Sequence, residues 1–284
     1  MTAPTVQPRR LVASPGAWLV WGAVAVFLLA LLGVVASVLV NSLGRTWFDT
    51  WLPSGWTTQW YREAWTGFDL FSVIVTTLEV ALAVVVLSVA VGLPTAYVLA
   101  RREFPGKRAV YLLFLLPIMM PPITYGIPLA TVLYKVGAAG NLSGVILANL
   151  VPCVPFVVLT MTPFIEQIDP AIENAARMSG AGTFAVFTRI LAPLLVPGIL
   201  ASSILVLVRT VGMFELTFLT AGPTSTTLVV ALFNSMNAAG IRAQQSVDAM
   251  AVIYMAVMLV LLVTALRFVN PTQLVSQVRE ESAT

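Results

Sequence analysis

Residues 169–193, which read DPAIENAARMSGAGTFAVFTRILAP, form the stretch that decides the fold of this chain. Asp169 is suited to cap the N-terminus of a helix, and Pro170 suits the first helical position. Glu173 follows near the positive end of the helix, where a carboxylate is favourable. Gly180 is a natural C-terminal stop. The pattern predicts a short polar helix at about 169–180, and apolar sequence flanks it on both sides.

The composition around this stretch is that of a protein whose solvent is lipid. Of the 284 residues, 59% are hydrophobic and 10% are charged, and the mean hydropathy is +0.95. A soluble domain carries about a quarter of its residues as charged ones. Histidine is absent from the sequence, which excludes His-based acid–base chemistry, His metal ligands and the common catalytic triads. The single cysteine, Cys153, cannot form an intrachain disulfide, and we interpret it as a buried thiol.

Six apolar runs are long enough to cross about 30 Å of hydrocarbon. They cover residues 18–40, 71–100, 109–134, 144–164, 194–219 and 249–269. Pro117, Pro121 and Pro122 interrupt the third run, and such breaks are tolerated where neighbouring helices or a cavity satisfy the freed backbone groups. The first run is about twice as long as the core of a signal peptide, so we expect a retained helix. The sequence therefore predicts an all-α integral membrane protein with about six transmembrane helices.

The basic residues predict that both termini are cytoplasmic. With the N-terminus inside, ten of them lie on the cytoplasmic side and four lie outside, which is the positive-inside bias of membrane proteins. The net charge of +3 therefore indicates basic cytoplasmic loops, and no nucleic-acid partner is expected. The ten are Arg9, Arg10, Arg101, Arg102, Lys107, Arg108, Arg177, Arg189, Arg267 and Arg279, and the four are Arg45, Arg62, Lys135 and Arg242.

We predict a single membrane domain with polar tails. An outer loop rich in tryptophan suits the membrane–water interface, and residues 227–236 suit a short interfacial or re-entrant helix. The tryptophans are Trp47, Trp51, Trp56, Trp60 and Trp65. The predicted parts are a cytoplasmic tail at 1–16, the first transmembrane helix and outer loop at 17–70, the core at 71–270 with its cytoplasmic helix at about 169–180, and a cytoplasmic tail at 271–284.

The spacing within 169–193 resembles the cytoplasmic motif of the integral membrane subunit of type I ATP-binding cassette (ABC) importers. This family includes maltose, molybdate, methionine, polyamine and ferric-iron permeases. Its motif is Glu-Ala-Ala, three residues, Gly, nine residues, Ile, one residue, Leu-Pro. Here Ala175 and Ala176 stand three residues before Gly180, and Ile190 and Pro193 follow at the family's spacing.

Two positions depart from the motif. Asn174 stands where the family has Glu, and Ala192 stands where it has Leu, although Glu173 keeps a carboxylate beside the first change. Residues 96–107 resemble the loop after the family's second core helix, and residues 115–122 resemble its proline-broken third span. The resemblance covers about 76–269. The ATPase-coupling residues that it implies are Glu173, Asn174, Ala175, Ala176, Arg177, Gly180, Ile190 and Pro193.

The resemblance implies a type I (MetI-like) permease fold in the bacterial cytoplasmic (inner) membrane. In that family the short helix docks into a cleft of an ATPase subunit, and ATP-driven closure of two ATPases rocks two permeases. The implied partners are two ATPase subunits, a second permease that is a copy or, by the habit of the polyamine branch, a paralogue, and an extracytoplasmic solute-binding protein. The chain has no Gly-x-x-x-x-Gly-Lys-Ser/Thr phosphate loop, so we expect no enzyme activity and no cofactor or metal of its own. ATP and Mg²⁺ are expected on the ATPase subunits.

Three ionisable residues, Glu79, Arg209 and Glu215, lie within the predicted spans. Each is costly when it faces lipid, so we expect them to face the bundle interior or a water-filled path. Counted at about 1.5 Å per residue, Glu79 and Arg209 reach a similar depth. They therefore either line the translocation path or form an interhelical ion pair. Glu215 lies nearer the outer mouth, where it either contacts the solute or its binding protein or is simply solvated.

The substrate is the least constrained part of the prediction. Residues 208–222, VRTVGMFELTFLTAG, resemble the polyamine and ferric-iron branch more than the sugar branch. This favours a small charged solute with a polyamine first, and it leaves ferric iron, phosphonate and sugar open. A stand-alone secondary transporter would show paired half-repeats with ion-coupling residues, and a membrane enzyme would need a polar catalytic cluster. The sequence shows neither feature, so the predicted function is that of an ABC importer permease.

Overall fold

The computed structural model describes residues 15–47, 52–237 and 243–267, which are helical apart from loops and one isolated pairing of Gly44 with Trp56. The predictions made for residues 1–14, for the tail at 271–284 and for Trp51, Arg242 and Arg279 lie outside this part. The helices are α1 Pro15–Leu43, α2 Gln59–Gly67, α3 Leu70–Arg101, α4 Lys107–Met119, α5 Pro122–Lys135, α6 Leu142–Glu166, α7 Pro170–Met178, α8 Thr183–Val186, α9 Ala192–Val211, α10 Glu215–Thr220, α11 Leu228–Asn237 and α12 Gln244–Arg267.

Within the described residues, five helical segments are long and apolar enough to cross a membrane: α1, α3, α6, the unit Thr183–Val211 and α12. The third predicted run is a broken span, in which α4 and α5 meet at an angle of 99°. Met120 adopts an extended conformation between them because the ring of Pro121 disfavours a helical residue before it. Counting the bent pair as one span gives six, so the predicted number of transmembrane helices is confirmed.

The fifth span is displaced from its predicted bounds of 194–219. It begins at Thr183, runs through the π-helical turn Phe187–Leu191 and ends at Val211. Gly212 ends the helix, and the chain turns before the separate short helix α10. The unbroken apolar composition on both sides of Gly212 hides this break, because hydropathy records burial in lipid and not backbone continuity.

The core lies where α3, α6 and α9 pack against one another. Valines and other aliphatic side chains of all three helices are buried there, including Val84, Val157 and Val206. Gly92 allows the closest approach of α3 to α6, since a Cβ at this position would lie 2.8 Å from the Val157 side chain. Such small residues let transmembrane backbones approach each other. The result is a rigid three-helix centre whose inner end leads directly to α7.

Helix α1 lies at the edge of the bundle and packs mainly on α12. Most of its large apolar side chains are exposed, as expected for a helix that faces lipid. The Asn41 amide donates a hydrogen bond to Asp248 of α12, and the Trp60 indole donates to the Gly44 carbonyl oxygen at 2.7 Å. These contacts tie the tryptophan-rich loop to the outer ends of both helices. The predicted re-entrant segment at 227–236 is helix α11.

Candidate functional site

Helix α7 occupies the predicted cytoplasmic stretch and is capped at both ends. The Asp169 carboxylate accepts a hydrogen bond from the Ala171 N–H at 2.8 Å, and Pro170 takes the first helical position. At the other end Gly180 has a φ of +88°. Its N–H donates to the Arg177 carbonyl, and the N–H of residue 181 donates to the carbonyl of residue 176, which is the paired pattern of a Schellman cap. The predicted short helix and the caps at both of its ends are confirmed.

The Glu173 side chain faces inward and not toward the exposed surface of α7. It is only 4% exposed, and its carboxylate accepts hydrogen bonds from the Arg101 Nε and the Tyr97 hydroxyl, both at 2.7 Å. Arg177 approaches the same carboxylate at 3.7 Å and donates to the Tyr97 hydroxyl at 3.1 Å. A second Arg101 nitrogen donates to the Ile168 carbonyl at 2.6 Å. We call Tyr97, Arg101, Glu173 and Arg177 the inner clamp.

The inner clamp changes the role expected of Glu173. A carboxylate that is buried and hydrogen-bonded within its own chain cannot stand in for the motif Glu on the docking surface. The position equivalent to the motif Glu is held by Asn174, which is exposed together with Ala175. Sequence spacing places Glu173 and Asn174 side by side, but successive helix residues point about 100° apart, and here Glu173 is buried while Asn174 is exposed.

The exposed face of α7 consists of small and apolar side chains. Ile172 is 44% exposed and Met178 is 85% exposed, and Asn174 and Ala175 are also exposed. Ala176 is partly buried and packs against the core of the bundle. A capped helix that projects apolar side chains beside two small residues has the form of a docking element, since groove-binding helices present anchors at such spacings.

The second half of the motif belongs to the fifth span. Ile190 lies half-buried in the π-helical turn, and Pro193 is in the first turn of α9. The ring of Phe187 packs edge-on against Tyr97, with the ring centroids 5.6 Å apart. The motif therefore brings together α7, the inner end of α3 and the start of the fifth span.

The three predicted intramembrane charges do not pair with one another. Among the described residues, no ion pair includes Glu79, Arg209 or Glu215. Glu79 is exposed on the surface of α3, Arg209 lies in the last turn of α9, and Glu215 lies in the first turn of α10. The ion-pair alternative for Glu79 and Arg209 is wrong in this structure, because equal depth says nothing about the direction in which each side chain points.

Arg209 faces a polar cluster that sequence reasoning missed. Its Nε is buried without a hydrogen-bond partner, and its guanidinium carbon lies 6.0 Å from the centre of the Phe156 ring. The Tyr125 hydroxyl, within electrostatic range of Arg209, is also buried without a partner. Asn149 of α6 is fully buried and donates to the Thr217 hydroxyl at 3.2 Å, while its own carbonyl oxygen has no donor among the described residues. A single amide inside an apolar run is the sequence signal for Asn149.

No group of three or more Cys, Asp or Glu side chains able to hold a metal ion occurs within the described ranges. Arg209 and Tyr125 offer hydrogen-bond donors instead.

The family model for the binding-protein-dependent transport system inner membrane component matches residues 88–274. The chain belongs to this family. It is a multi-pass permease of the inner membrane, and the match runs from within α3 past the end of α12. Helix α7 and all four residues of the inner clamp fall inside the match, whereas Glu79 precedes it.

Two curated relatives show the range of permeases that resemble this one. The trehalose transport system permease protein SugB of Mycobacterium tuberculosis (strain CDC 1551 / Oshkosh) is 34% identical over 158 residues, 55% of this chain and 57% of that protein. The molybdenum transport system permease protein ModB of Haemophilus influenzae (strain ATCC 51907 / DSM 11121 / KW20 / Rd) is 30% identical over 190 residues, 61% of this chain and 82% of that protein. The chain spans about half the length of several curated relatives that it matches, between 51% and 57%.

The permease fold is also that of a solved transporter. A chain in the crystal structure of a bacterial ABC transporter involved in the import of the acidic polysaccharide alginate superposes with a TM-score of 0.74 at 17% identity. The superposition covers 92% of this chain and 98% of that one. At this identity the likeness shows the fold alone, and it confirms the predicted type I architecture.

Proposed function

We propose that this permease is the transmembrane subunit of an ATP-driven importer and forms half of its translocation path. Two ATPase subunits would bind at the cytoplasmic face and hydrolyse ATP with Mg²⁺, and a solute-binding protein would deliver the solute outside. A second permease, either a copy or a paralogue, would complete the path. The observation that carries the proposal is α7, a short helix capped at both ends whose outer face is exposed and whose inner face is fixed to the bundle.

The exposed face of α7 is the proposed ATPase contact. Ala175 leaves room for a partner's backbone, and Ile172 and Met178 supply apolar anchors on either side. Asn174 contributes an amide in place of the family's carboxylate, so this contact would depend less on charge than in relatives that keep Glu. The remaining motif residues hold the helix in place: Glu173 and Arg177 through the inner clamp, Ala176 through the core, and Gly180, Ile190 and Pro193 through the chain's return into the membrane.

Co-purification with the cognate ATPase tests this proposal. We expect Ala175→Arg to reduce capture of the ATPase by about tenfold or more, the scale expected for a residue at the centre of an interface. Val136→Arg is the matched control, because Val136 is exposed just after α5, on the predicted outer side, and should leave capture unchanged. An active carrier that needs neither the ATPase nor ATP would overturn the proposal.

We propose an anionic solute as the substrate class. Arg209, in the last turn of its span, has no carboxylate partner among the described residues, and such a cation is retained where it meets water or a ligand. The Tyr125 hydroxyl adds a second free donor beside it. Molybdenum is named for one of the similar permeases and trehalose for another. Neither is a polyamine, and the polyamine branch that the sequence favours gains no support from them.

We propose that Glu79 and Glu215 lie on the solute's route without binding it directly. Glu79 is exposed on a transmembrane helix, so we expect water or the second permease, and not lipid, to face it. Glu215 stands beside the polar cluster at the start of α10. Near Arg209, a carboxylate of this kind would favour release of an anion over tight retention.

Uptake by proteoliposomes that contain the complete importer tests the substrate class. Labelled molybdate, sulfate, trehalose and putrescine are supplied separately, each with the solute-binding protein. We expect an anion to accumulate and Arg209→Met to abolish its uptake, while Arg209→Lys keeps part of it. Accumulation of putrescine, or anion uptake that Arg209→Met leaves intact, would contradict the assignment.

A further inference from the structure

Two short links join α7 to the rest of the chain, and one of them contains two glycines. Gly180, Ala181 and Gly182 link it to the fifth span, and a Cβ placed at Gly180 or Gly182 would meet nothing within 4 Å. On the other side, Gln167, Ile168 and Asp169 link it to α6. A helix attached by two such links can pivot unless side chains fix it.

The inner clamp supplies that fixation. Arg101 closes the last turn of α3, and one guanidinium group holds both the Glu173 carboxylate of α7 and the Ile168 carbonyl at the exit of α6. Both charged side chains are nearly buried, at 12% exposure for Arg101 and 5% for Glu173. Buried ion pairs with additional hydrogen bonds set a defined geometry, and breaking one partner leaves an unpaired charge. A single arginine therefore joins three helices.

Tyr97 extends the clamp to the fifth span. Its hydroxyl donates to Glu173 and accepts from Arg177, and its ring packs against Phe187 in the π-helical turn. Three of the elements that move when a permease changes its access, namely α3, α7 and the fifth span, thus meet at this one side chain.

We infer that Tyr97, Arg101 and Glu173 are positioning residues that make α7 and the inner end of α3 move as one body, so that ATPase closure reaches the transmembrane core. The inference rests on the proposed importer function, and it assigns a different role to each face of α7. The outer face with Asn174 and Ala175 binds the ATPase, and the inner face with Glu173 transmits the motion. Loss of the clamp should leave binding in place and uncouple it from transport.

Two substitutions remove parts of the clamp with little change in shape. Glu173→Gln keeps the size of the side chain and removes its charge, and Tyr97→Phe removes only the hydroxyl. Tyr134→Phe is the matched control, because Tyr134 is exposed at the outer end of α5 and its hydroxyl makes no hydrogen bond to any residue that the structure describes. All three are studied in the assembled importer with its ATPase, second permease and binding protein.

The first readout is the ratio of solute taken up to ATP hydrolysed. We expect this ratio to fall by about tenfold in Glu173→Gln, the scale set by loss of a hydrogen bond to a buried charge, and by less in Tyr97→Phe. ATPase capture should stay near that of the original chain, and Tyr134→Phe should change neither quantity. A ratio that is unchanged in both clamp variants would overturn the inference.

The second readout does not depend on transport. Spin labels on cysteines that replace Val98 of α3 and Ser179 beyond α7, both exposed, report the distance between the two helices. We expect one narrow distance distribution in the original chain and in Tyr134→Phe, and a broadened one in Glu173→Gln. An equally narrow distribution in Glu173→Gln would refute the clamp, whereas failure of the original chain to capture an ATPase would instead refute the proposed function.

Discussion

Gly180 ends α7 in a left-handed conformation, with a φ of +88°, and its N–H completes the C-terminal cap. An alanine in this conformation costs about 1 kcal/mol relative to glycine. We expect Gly180→Ala to speed amide hydrogen exchange in residues 170–178 by about fivefold, because local opening of α7 becomes that much easier. Hydrogen exchange followed by mass spectrometry measures this on the purified permease.

Gly182 provides the control for that measurement. It lies two residues further on, it is also exposed, and its φ of −71° suits any residue. Gly182→Ala should therefore leave the exchange of α7 unchanged. Equal effects of the two substitutions would mean that the left-handed conformation of Gly180 does not limit the stability of α7.

At the residue scale, the sequence indicates which residues are important. It is a poorer guide to which residues they contact. The caps of α7 follow from Asp169, Pro170 and Gly180 because each acts within its own turn. The inward direction of Glu173 depends on Arg101 and Tyr97, more than 70 residues earlier in the chain, as separations of 72 and 76 residues show. No local pattern records such a partnership.

At the scale of the elements, the contact between α3 and α6 depends on Gly92. A methyl group there would lie 2.8 Å from Val157, closer than side-chain carbons approach each other. Overpacking of this kind costs about 1–3 kcal/mol. We expect Gly92→Ala to lower the apparent melting temperature of the detergent-purified permease by several degrees. Gly33→Ala in α1, where a Cβ would meet nothing within 4 Å, should leave it unchanged.

The bounds of a helix could be predicted where the hydropathy of the sequence and the backbone structure change at the same residues. The second predicted span, 71–100, is α3 to within one residue at each end, and three closely spaced prolines mark the break between α4 and α5. The fifth span was misplaced because Gly212 interrupts an apolar run without a change in hydropathy, and because residues 183–193 were counted with the cytoplasmic motif and not with the span. The same error placed Arg209 deep within a continuous helix, whereas it lies in the last turn of α9.

At the scale of the whole molecule, the orientation in the membrane is open to a direct test. Cys153 is fully buried, so the native thiol should not react with a membrane-impermeant maleimide. Ser143 lies in the first turn of α6 and Ser179 follows α7, so single cysteines at these two exposed positions place one thiol on each predicted side of the membrane. We expect Ser143→Cys to be labelled in intact cells, or in spheroplasts where an outer membrane blocks the reagent. Ser179→Cys should be labelled only after the inner membrane is opened, and the reverse pattern would contradict the inward orientation of α7.

The central claim is that the outer face of α7 is where an ATP-binding cassette subunit meets this permease. A photo-crosslinking amino acid at Met178, which is 85% exposed, tests the claim in native membranes, with the same group at Val136 as the control. We predict that irradiation joins residue 178, and not residue 136, to a polypeptide that mass spectrometry identifies as an ATP-binding cassette subunit. The absence of any such adduct at residue 178, in membranes where the assembled importer transports its solute, would contradict the claim.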